Sequence, residues 1–148
     1  METLDAADEQ RVRDSFDKQG FMATIGARLI SVGRGTVEIA LTPTPAISQQ
    51  HGFVHGGAVS ALADTAAGFA ALSQMPAGAG VLTAEFKINL LAPAVGECIR
   101  ARAKVLKAGR TLTLAQTEVF AESQGEWKMI AFMTATLMTI QGRDGVTD

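Results

Sequence analysis

One aspartate, Asp64, lies in an otherwise apolar segment that has the composition of a helix. The residues three and four positions away on either side, which share its helical face, are all small: Ser60, Ala61, Ala67 and Gly68. A carboxylate buried without partners is costly, whereas a solvated helix face more often carries Lys, Glu or Gln. Two interpretations stay open. Asp64 faces solvent, or a ligand or second backbone approaches it closely and its carboxylate acts as a base or nucleophile.

A second chemical feature lies where the same segment begins. Gly56 and Gly57 start the predicted helix, and the first N–H groups of a helix have no intrahelical acceptor. Together with the helix dipole, these groups can bind a carbonyl oxygen or an oxyanion. Gln49 and His55, whose side chains can donate hydrogen bonds, flank this point. The simpler interpretation is a tight strand-to-helix turn in which His55 bonds only locally.

The spacing of Gly56 and Asp64 limits how these two features can be combined. Eight residues of α-helix span about 12 Å along the axis. A base or nucleophile, however, has to act about 3 Å from the carbonyl group that the oxyanion donor holds. One chain cannot bring both groups to the same carbonyl, but two chains with antiparallel helices can. A catalytic site built from these residues is therefore shared between subunits, and we expect at least a dimer.

The elements that position these residues follow from hydrophobic periodicity. The Ala- and Leu-rich segment from Gly56 to about Gln74 predicts one long helix, which ends before Pro76. Six segments alternate as strands do, two before this helix and four after it: 26–32, 36–42, 81–90, 99–105, 111–121 and 127–140. Hairpin-joined strands and one apolar helix predict a single α+β domain over residues 1–148, in which a curved antiparallel sheet wraps around the central helix.

Two further expectations concern the surroundings of this core. Residues 1–20 predict a leader helix that packs through Val12 and Phe16 and is terminated by Gly20. We also expect Ala101 and Ala103 on the outer face of the sheet, where apolar residues would allow dimers to pair as tetramers.

Composition argues against several classes of protein. The chain has 148 residues, of which 47% are hydrophobic and 19% charged, as in a globular domain. A formal net charge of -2 argues against nucleic acid as a partner. One cysteine, Cys98, provides neither an intrachain disulfide nor a cysteine zinc site, and we predict no metal. The charged N-terminal residues and the lack of a long apolar run predict a cytoplasmic protein that does not enter a membrane.

The sequence resembles a known family in three places. The run HGGAVSALADTAAGFA (residues 55–70) resembles the signature of hotdog-fold acyl-CoA thioesterases of the phenylacetic-acid-degradation (PaaI-like) type. VLTAEFKINLLAPAVGE (81–97) and VLKAGRTLTLAQTEVF (105–120) resemble the strand and hairpin that follow in that family. In order of elements the resemblance covers residues 26–140. It implies the hotdog fold and the hydrolysis of an acyl-CoA, with an aromatic or medium-chain acyl group.

The resemblance also implies roles for individual residues. Asp64 would be the nucleophile or general base, and the N–H of Gly56 would polarise the thioester carbonyl. Gln49 would lie near the carbonyl or the attacking water, with His55 supporting it. Thr83 would position water near the acid. No role is implied for the second histidine, His51, which we expect in a loop.

Substrate contacts are implied at two further places. Gly57 would bind substrate beside Gly56, and the turn after the fourth strand would contact CoA through Lys107, Gly109, Arg110 and Thr111. CoA is then part of the substrate, and no separate cofactor is expected. Arg100 and Arg102 fit a solvated strand face better than a phosphate site.

Two alternatives belong to other classes of hotdog protein. A dehydratase of hydroxyacyl thioesters typically uses a His with an Asp or Glu in a motif of the type Asp-x-Asn-Pro-x-His, which does not occur here. A non-catalytic acyl-CoA-binding regulator would be expected to carry a DNA-binding appendage, for which the leader is too short and too acidic.

Overall fold

The computed structural model describes residues 2–148 and contains every predicted helix and strand. The helices are α1 (Ala6–Asp17), α2 (Gly20–Thr24) and α3 (Gly56–Leu72), with a 3-10 turn at Pro45–Ile47. The strands are β1 (Arg28–Gly33), β2 (Thr36–Leu41), β3 (Gly80–Leu90), β4 (Cys98–Ala108), β5 (Leu112–Ser123) and β6 (Glu126–Ile140). They form one antiparallel sheet in the order β1-β2-β4-β5-β6-β3. The predicted α+β architecture is confirmed.

Helix α3 lies across one face of this sheet and contacts strands β2 to β6. Its inner side is mostly alanine, which lets the helix backbone come close to the strands, while Leu62 and Leu72 fill the wider gaps. The fully buried Thr117 of β5 donates a hydrogen bond of 3.1 Å to the carbonyl oxygen of Ala63. That bond holds the helix on the sheet one residue before Asp64. No helix within residues 2–148 is long and apolar enough to cross a membrane.

The N-terminal segment packs as predicted but ends differently. Val12 and Phe16 are buried, and the ring of Phe16 packs edge-on against Phe69 of α3 with 5.6 Å between centroids. Gly20 does not terminate α1, so that prediction was wrong. The helix ends at Asp17, Gln19 is extended, and Gly20 begins the second short helix.

The expectation that Ala101 and Ala103 lie on the outer face was also wrong. Both side chains are buried, because period-2 alternation places them on the same side as Ile99, facing α3. Apolar residues on the outer face occur elsewhere, on β5 and β6. Leu112 and Met138 are opposite one another there and are partly exposed.

Strand β3 forms one edge of the sheet and leaves apolar surface uncovered. Leu82, Phe86 and Leu90 are 47%, 43% and 56% exposed, and Leu91 directly after the strand is 58% exposed. A long edge strand with apolar side chains is a ready template for pairing with another chain. The sequence pattern predicted an ordinary half-buried strand here, because alternation alone does not show which strand lies at the edge.

Candidate active site

Asp64 and Thr83 meet at the gap between α3 and β3. Asp64 is half-buried on the helix, and Thr83 Oγ1 donates a hydrogen bond of 2.7 Å to its Oδ1. The second carboxylate oxygen, Oδ2, has no hydrogen-bond donor within residues 2–148. Both residues line a cleft of about 350 Å³. Asp64 is therefore neither an ordinary solvent-facing acid nor a paired core carboxylate.

The surroundings of Asp64 act on its pKa in opposite directions. Burial in the apolar helix raises the pKa, because desolvation penalises the charged form. The hydrogen bond from Thr83 lowers it, because the hydroxyl stabilises the carboxylate. Burial is the larger effect, so the pKa is raised above its ordinary value. A carboxylate with a raised pKa holds a transferred proton more readily, as a general base requires.

A β-bulge in β3 turns Thr83 towards Asp64. Thr83 pairs with the buried Leu137, whereas Glu85 pairs with the next residue on the partner strand, Thr136. Ala84 is therefore an extra residue between two ladder positions. Without it, alternation counted back from Phe86 would point Thr83 away from α3. The bulge re-aims one side chain, and simple period-2 alternation in the sequence does not predict it.

Gly56 and Gln49 form a second group, at the other end of β3. Both line a cleft of about 360 Å³ together with Leu90 and Leu91. The N–H of Gly56 has no acceptor within residues 2–148, whereas the N–H groups of Ala58 and Val59 both bond to the carbonyl of His55. The Gln49 side-chain carbonyl accepts the N–H of His51, which leaves its amide nitrogen available as a donor. Two residues with a free donor, one on the backbone and one on a side chain, thus line the same cleft.

The histidines are accounted for by local contacts. His55 caps α3, because its Nδ1 accepts the Gly57 N–H at 2.7 Å. Gly57 permits this contact, since a Cβ there would lie 2.9 Å from the His55 Nδ1. His55 and Gly57 line a different groove, beside Phe21 of α2. His51 is exposed in a loop, as expected.

The chain therefore presents two half-sites and not one complete site. Asp64 and Thr83 lie near the beginning of β3. Gly56 and Gln49 lie beside its last residue, Leu90. A Cβ built on Gly56 would lie 2.9 Å from Leu90 Cδ1, which shows how closely the helix start approaches that end of the strand. Helix α3 and strand β3 run in opposite directions, and the exposed apolar edge lies between the two half-sites.

The residues expected to contact CoA occupy the β4–β5 hairpin. Lys107 and Arg110 are exposed and make no ion pair within residues 2–148. Gly109 and Arg110 border a small cavity of about 230 Å³ next to the C-terminal end of α3. Gly109 is required by the hairpin itself, because a Cβ would lie 2.5 Å from the carbonyl oxygen of Leu112. The Thr111 carbonyl accepts the Thr139 N–H at 2.8 Å.

Arg100 and Arg102 belong to a different environment. They contact Glu38 at 2.9 and 3.1 Å and lie over the rings of Trp127 and Phe120. Their charges are thus partly balanced on the outer face of the sheet.

Comparisons with known proteins identify the family. Residues 51–128, more than half of the chain, match the family model of the thioesterase superfamily. A crystal structure of a thioesterase family protein from Silicibacter pomeroyi superposes with a TM-score of 0.90 and 50% identity, over 91% of this chain and 99% of that chain.

Two further relatives support the fold and the class of reaction. The structure of the E. coli PaaI protein from the phenylacetic acid degradation operon superposes with a TM-score of 0.84 over 98% of this chain and 99% of that chain; at 24% identity this likeness concerns the fold. A 1,4-dihydroxy-2-naphthoyl-CoA hydrolase of Listeria monocytogenes is 27% identical over 105 residues, 71% of this chain and 85% of the relative. The chain therefore belongs to the thioesterase superfamily: it is a thioester hydrolase that shares the hotdog fold of PaaI.

Proposed function

We propose that the protein hydrolyses an aromatic or medium-chain acyl-CoA to the free acid and CoA, with Asp64 as its catalytic carboxylate. The observation that carries this proposal is the hydrogen-bonded, half-buried Asp64 at a cleft, with one oxygen free of protein donors. The relatives point to the same substrate class. The Listeria relative is named for an aromatic acyl-CoA, and the E. coli relative for the degradation of an aromatic acid.

Water attack through Asp64 balances all atoms of the reaction. The carboxylate takes a proton from water, and the resulting hydroxide adds to the thioester carbonyl. The tetrahedral oxyanion is stabilised by a free N–H at a helix start, that of Gly56. Collapse of this intermediate expels the CoA thiolate, which receives the proton from Asp64. Direct attack by Asp64 on the carbonyl, followed by hydrolysis of the anhydride, uses the same groups.

The Gly56 that serves each Asp64 comes from a partner subunit. Asp64 lies at Thr83 and Gly56 at Leu90; since Ala84 is the extra residue of the bulge, the midpoint of β3 between the two half-sites falls at Lys87, next to Phe86. If β3 pairs antiparallel with a second copy about a two-fold axis at this midpoint, each strand's Leu90 comes opposite its partner's Thr83. Each Gly56 then approaches the other chain's Asp64. The same pairing covers the exposed Phe86 and Leu90.

The remaining predicted residues support binding in this proposal. Gln49 faces the cleft of Gly56 and adds a second donor for the carbonyl or the attacking water. His55 holds the helix start by capping Gly57. Lys107 and Arg110, free of ion pairs within residues 2–148, bind CoA phosphates at the hairpin. The cytoplasmic location and the absence of a separate cofactor stay predictions.

No observation favours the dehydratase alternative. Neither histidine lies in the cleft of Asp64, because His51 is in a loop and His55 caps α3.

Hydrolysis of a panel of acyl-CoAs tests the proposal. The released thiol is measured with a chromogenic disulfide, on short, medium, long and aromatic acyl-CoAs. We expect the highest kcat/KM for an aromatic or medium-chain member. A protein that binds these acyl-CoAs but releases no thiol would contradict the catalytic function, and a preference for acetyl-CoA would contradict the substrate class.

A further inference from the structure

The C-terminal segment 142–148 forms one wall of the cleft that contains Asp64. Residues 145–148 line this cleft together with residues of α3 and with Lys18, which directly follows α1. Val146 packs on Gly80, the first residue of β3. A Cβ on Gly80 would lie 2.7 Å from Val146 Cγ1 and 2.9 Å from its carbonyl oxygen. The segment is therefore in close contact with the strand that also carries Thr83.

This segment is held in place mainly by Asp148. Its Oδ2 accepts hydrogen bonds from Arg11 Nη1 at 3.0 Å and from the Gly78 N–H at 2.8 Å. Lys18 Nζ donates to its main-chain oxygen at 3.0 Å. Arg11 also donates to the Met75 carbonyl, so the guanidinium links the segment both to α1 and to the loop after α3. The Arg11 and Asp148 side chains are only 13% and 16% exposed.

The charge of Asp148 suits this role. Burial raises the pKa of its carboxyl, but the hydrogen bonds from Gly78 and Arg11 and the positive charges of Arg11 and Lys18 outweigh that effect and lower the pKa. The carboxylate is thus charged at every pH at which an ordinary aspartate is charged. Bonds of this kind, between charged partners that are mostly buried, are among the stronger ones in proteins.

The position of Val146 defines how far an acyl group can extend from Asp64. Thr83, which bonds to Asp64, lies three residues along β3 from Gly80, a distance of about 10 Å. Phe69 and Leu72 of α3 line the cleft between these points. There is room for one aromatic ring or a medium-length chain before the acyl group reaches Val146.

We infer that the segment 142–148, anchored by Asp148 to Arg11 and Gly78, is the end wall of the acyl pocket and sets the longest acyl group that the enzyme hydrolyses efficiently. This inference rests on the proposed function and adds the residues that determine acyl length. Val146 is the specificity-determining residue, and Asp148 and Arg11 position it. The end of the cleft at Asp64 and Thr83 is left for the thioester.

Two substitutions with opposite expected effects test the inference. Asp148→Ala removes both bonds of the carboxylate and releases the wall. Val146→Trp fills the end of the cleft. The measured quantity is the ratio of kcat/KM for acyl-CoAs one or two methylenes longer than the best substrate to kcat/KM for shorter ones. Because one methylene in a fitted pocket changes kcat/KM about tenfold, we expect this ratio to rise about tenfold in Asp148→Ala and to fall similarly in Val146→Trp.

A matched control lies on α1, the helix that carries Arg11. Glu9→Gln breaks the 2.7 Å ion pair with Arg13 on α1, and neither residue lines the cleft. It should leave the ratio unchanged. If both Asp148→Ala and Val146→Trp hydrolyse acyl-CoA with an unchanged ratio, the inference about the end wall is overturned and the proposed function stands. If the wild type releases no thiol, the proposed function fails. The inference is then tested by binding: the dissociation constants of thioether analogues with longer and shorter acyl groups are compared between the wild type and the two variants.

Discussion

The hydroxyl of Thr83 donates a hydrogen bond of 2.7 Å to Oδ1 of Asp64, and this bond joins the edge strand to the central helix. It occupies one carboxylate oxygen and leaves Oδ2 without a donor within residues 2–148. The bond also opposes the effect of burial on the pKa of Asp64. Thr83 is therefore a positioning residue that orients the carboxylate and favours its charged form.

Replacing Thr83 by valine should shift the pH dependence of hydrolysis. Asp64 acts as a carboxylate, so activity falls as the pH drops through its raised pKa. Loss of the hydroxyl removes the interaction that lowers this pKa, so the acidic limb of the kcat/KM profile should move to higher pH. Thr83→Ser keeps the hydroxyl and should leave the limb in place. If the acidic limb of the Thr83→Val variant lies at the same pH as that of the wild type, the hydrogen bond does not affect the pKa of Asp64.

Replacing Asp64 by asparagine should lower activity and raise stability. Loss of the base should reduce kcat by about 10²- to 10⁴-fold. The folded-state pKa of Asp64 is raised, so the folded wild type loses stability as the pH rises from the ordinary aspartate pKa through the raised one. Asparagine does not ionise, so the variant should have the higher free energy of unfolding at neutral pH. Below that window the difference should disappear.

Denaturant unfolding of Asp64→Asn and wild type at several pH values measures this difference. A variant that is equally stable at all pH values would contradict the raised pKa, and one with wild-type kcat would contradict the catalytic role.

The extent to which the sequence predicted these features depends on the kind of signal. Helical periodicity predicted the burial of Val12, of Phe16 and of the apolar side of α3. These predictions hold because the apolar side of an amphipathic helix packs against the core. The bulge at Ala84 leaves no signal in the residue types of β3. Only the family resemblance therefore indicated that the Thr83 side chain lies near Asp64. The wall formed by Val146 and Asp148 depends on contacts between residues far apart in the chain, and the sequence RDGVTD has no periodicity that would predict them.

Arg110 should affect the binding of CoA and not the chemistry. Arg110→Gln removes a charge without an ion-pair partner within residues 2–148, and a bond to a phosphate contributes about 1.5–3 kcal/mol. KM for the best acyl-CoA should therefore rise roughly tenfold or more, with kcat little changed. KM for the matching acyl-pantetheine, which lacks the nucleotide, should not change. Arg28→Gln, at an exposed arginine on β1, is the control. An equal rise in KM for both substrates would remove Arg110 from the CoA site.

A charge on the edge strand should prevent dimer formation. Phe86 is 43% exposed and lies next to the proposed two-fold axis, so Phe86→Arg would place two like charges close together in the interface. We expect this variant to sediment as a monomer and to lose activity. Ile30→Arg is matched in exposure, at 40%, but lies on β1 at the opposite edge of the sheet. It should remain dimeric and active. A monomeric, fully active Phe86→Arg variant would contradict a site shared between subunits.

Mixing two inactive variants tests the shared site directly. Asp64→Asn removes the carboxylate, and Gly56→Pro removes the N–H that lacks an acceptor within residues 2–148. Proline is well tolerated at the first position of a helix, and His55 before it has φ -58 and ψ 134, a conformation that precedes proline readily. Gly56→Ala keeps the N–H; its Cβ meets only the flexible end of Leu90, so this variant should stay active.

Each variant alone should be inactive, whereas mixed dimers should recover activity. One site of a mixed dimer combines both defects, and the other has an intact Gly56 from one chain and an intact Asp64 from the other. Random pairing of equal amounts makes half of the dimers mixed, each with one intact site, so activity should reach about a quarter of wild type. Hydrolysis is measured after co-refolding, with dimer formation checked by sedimentation. Mixed dimers without recovery would mean that Gly56 and Asp64 do not meet across the interface, since no single chain brings them to one carbonyl.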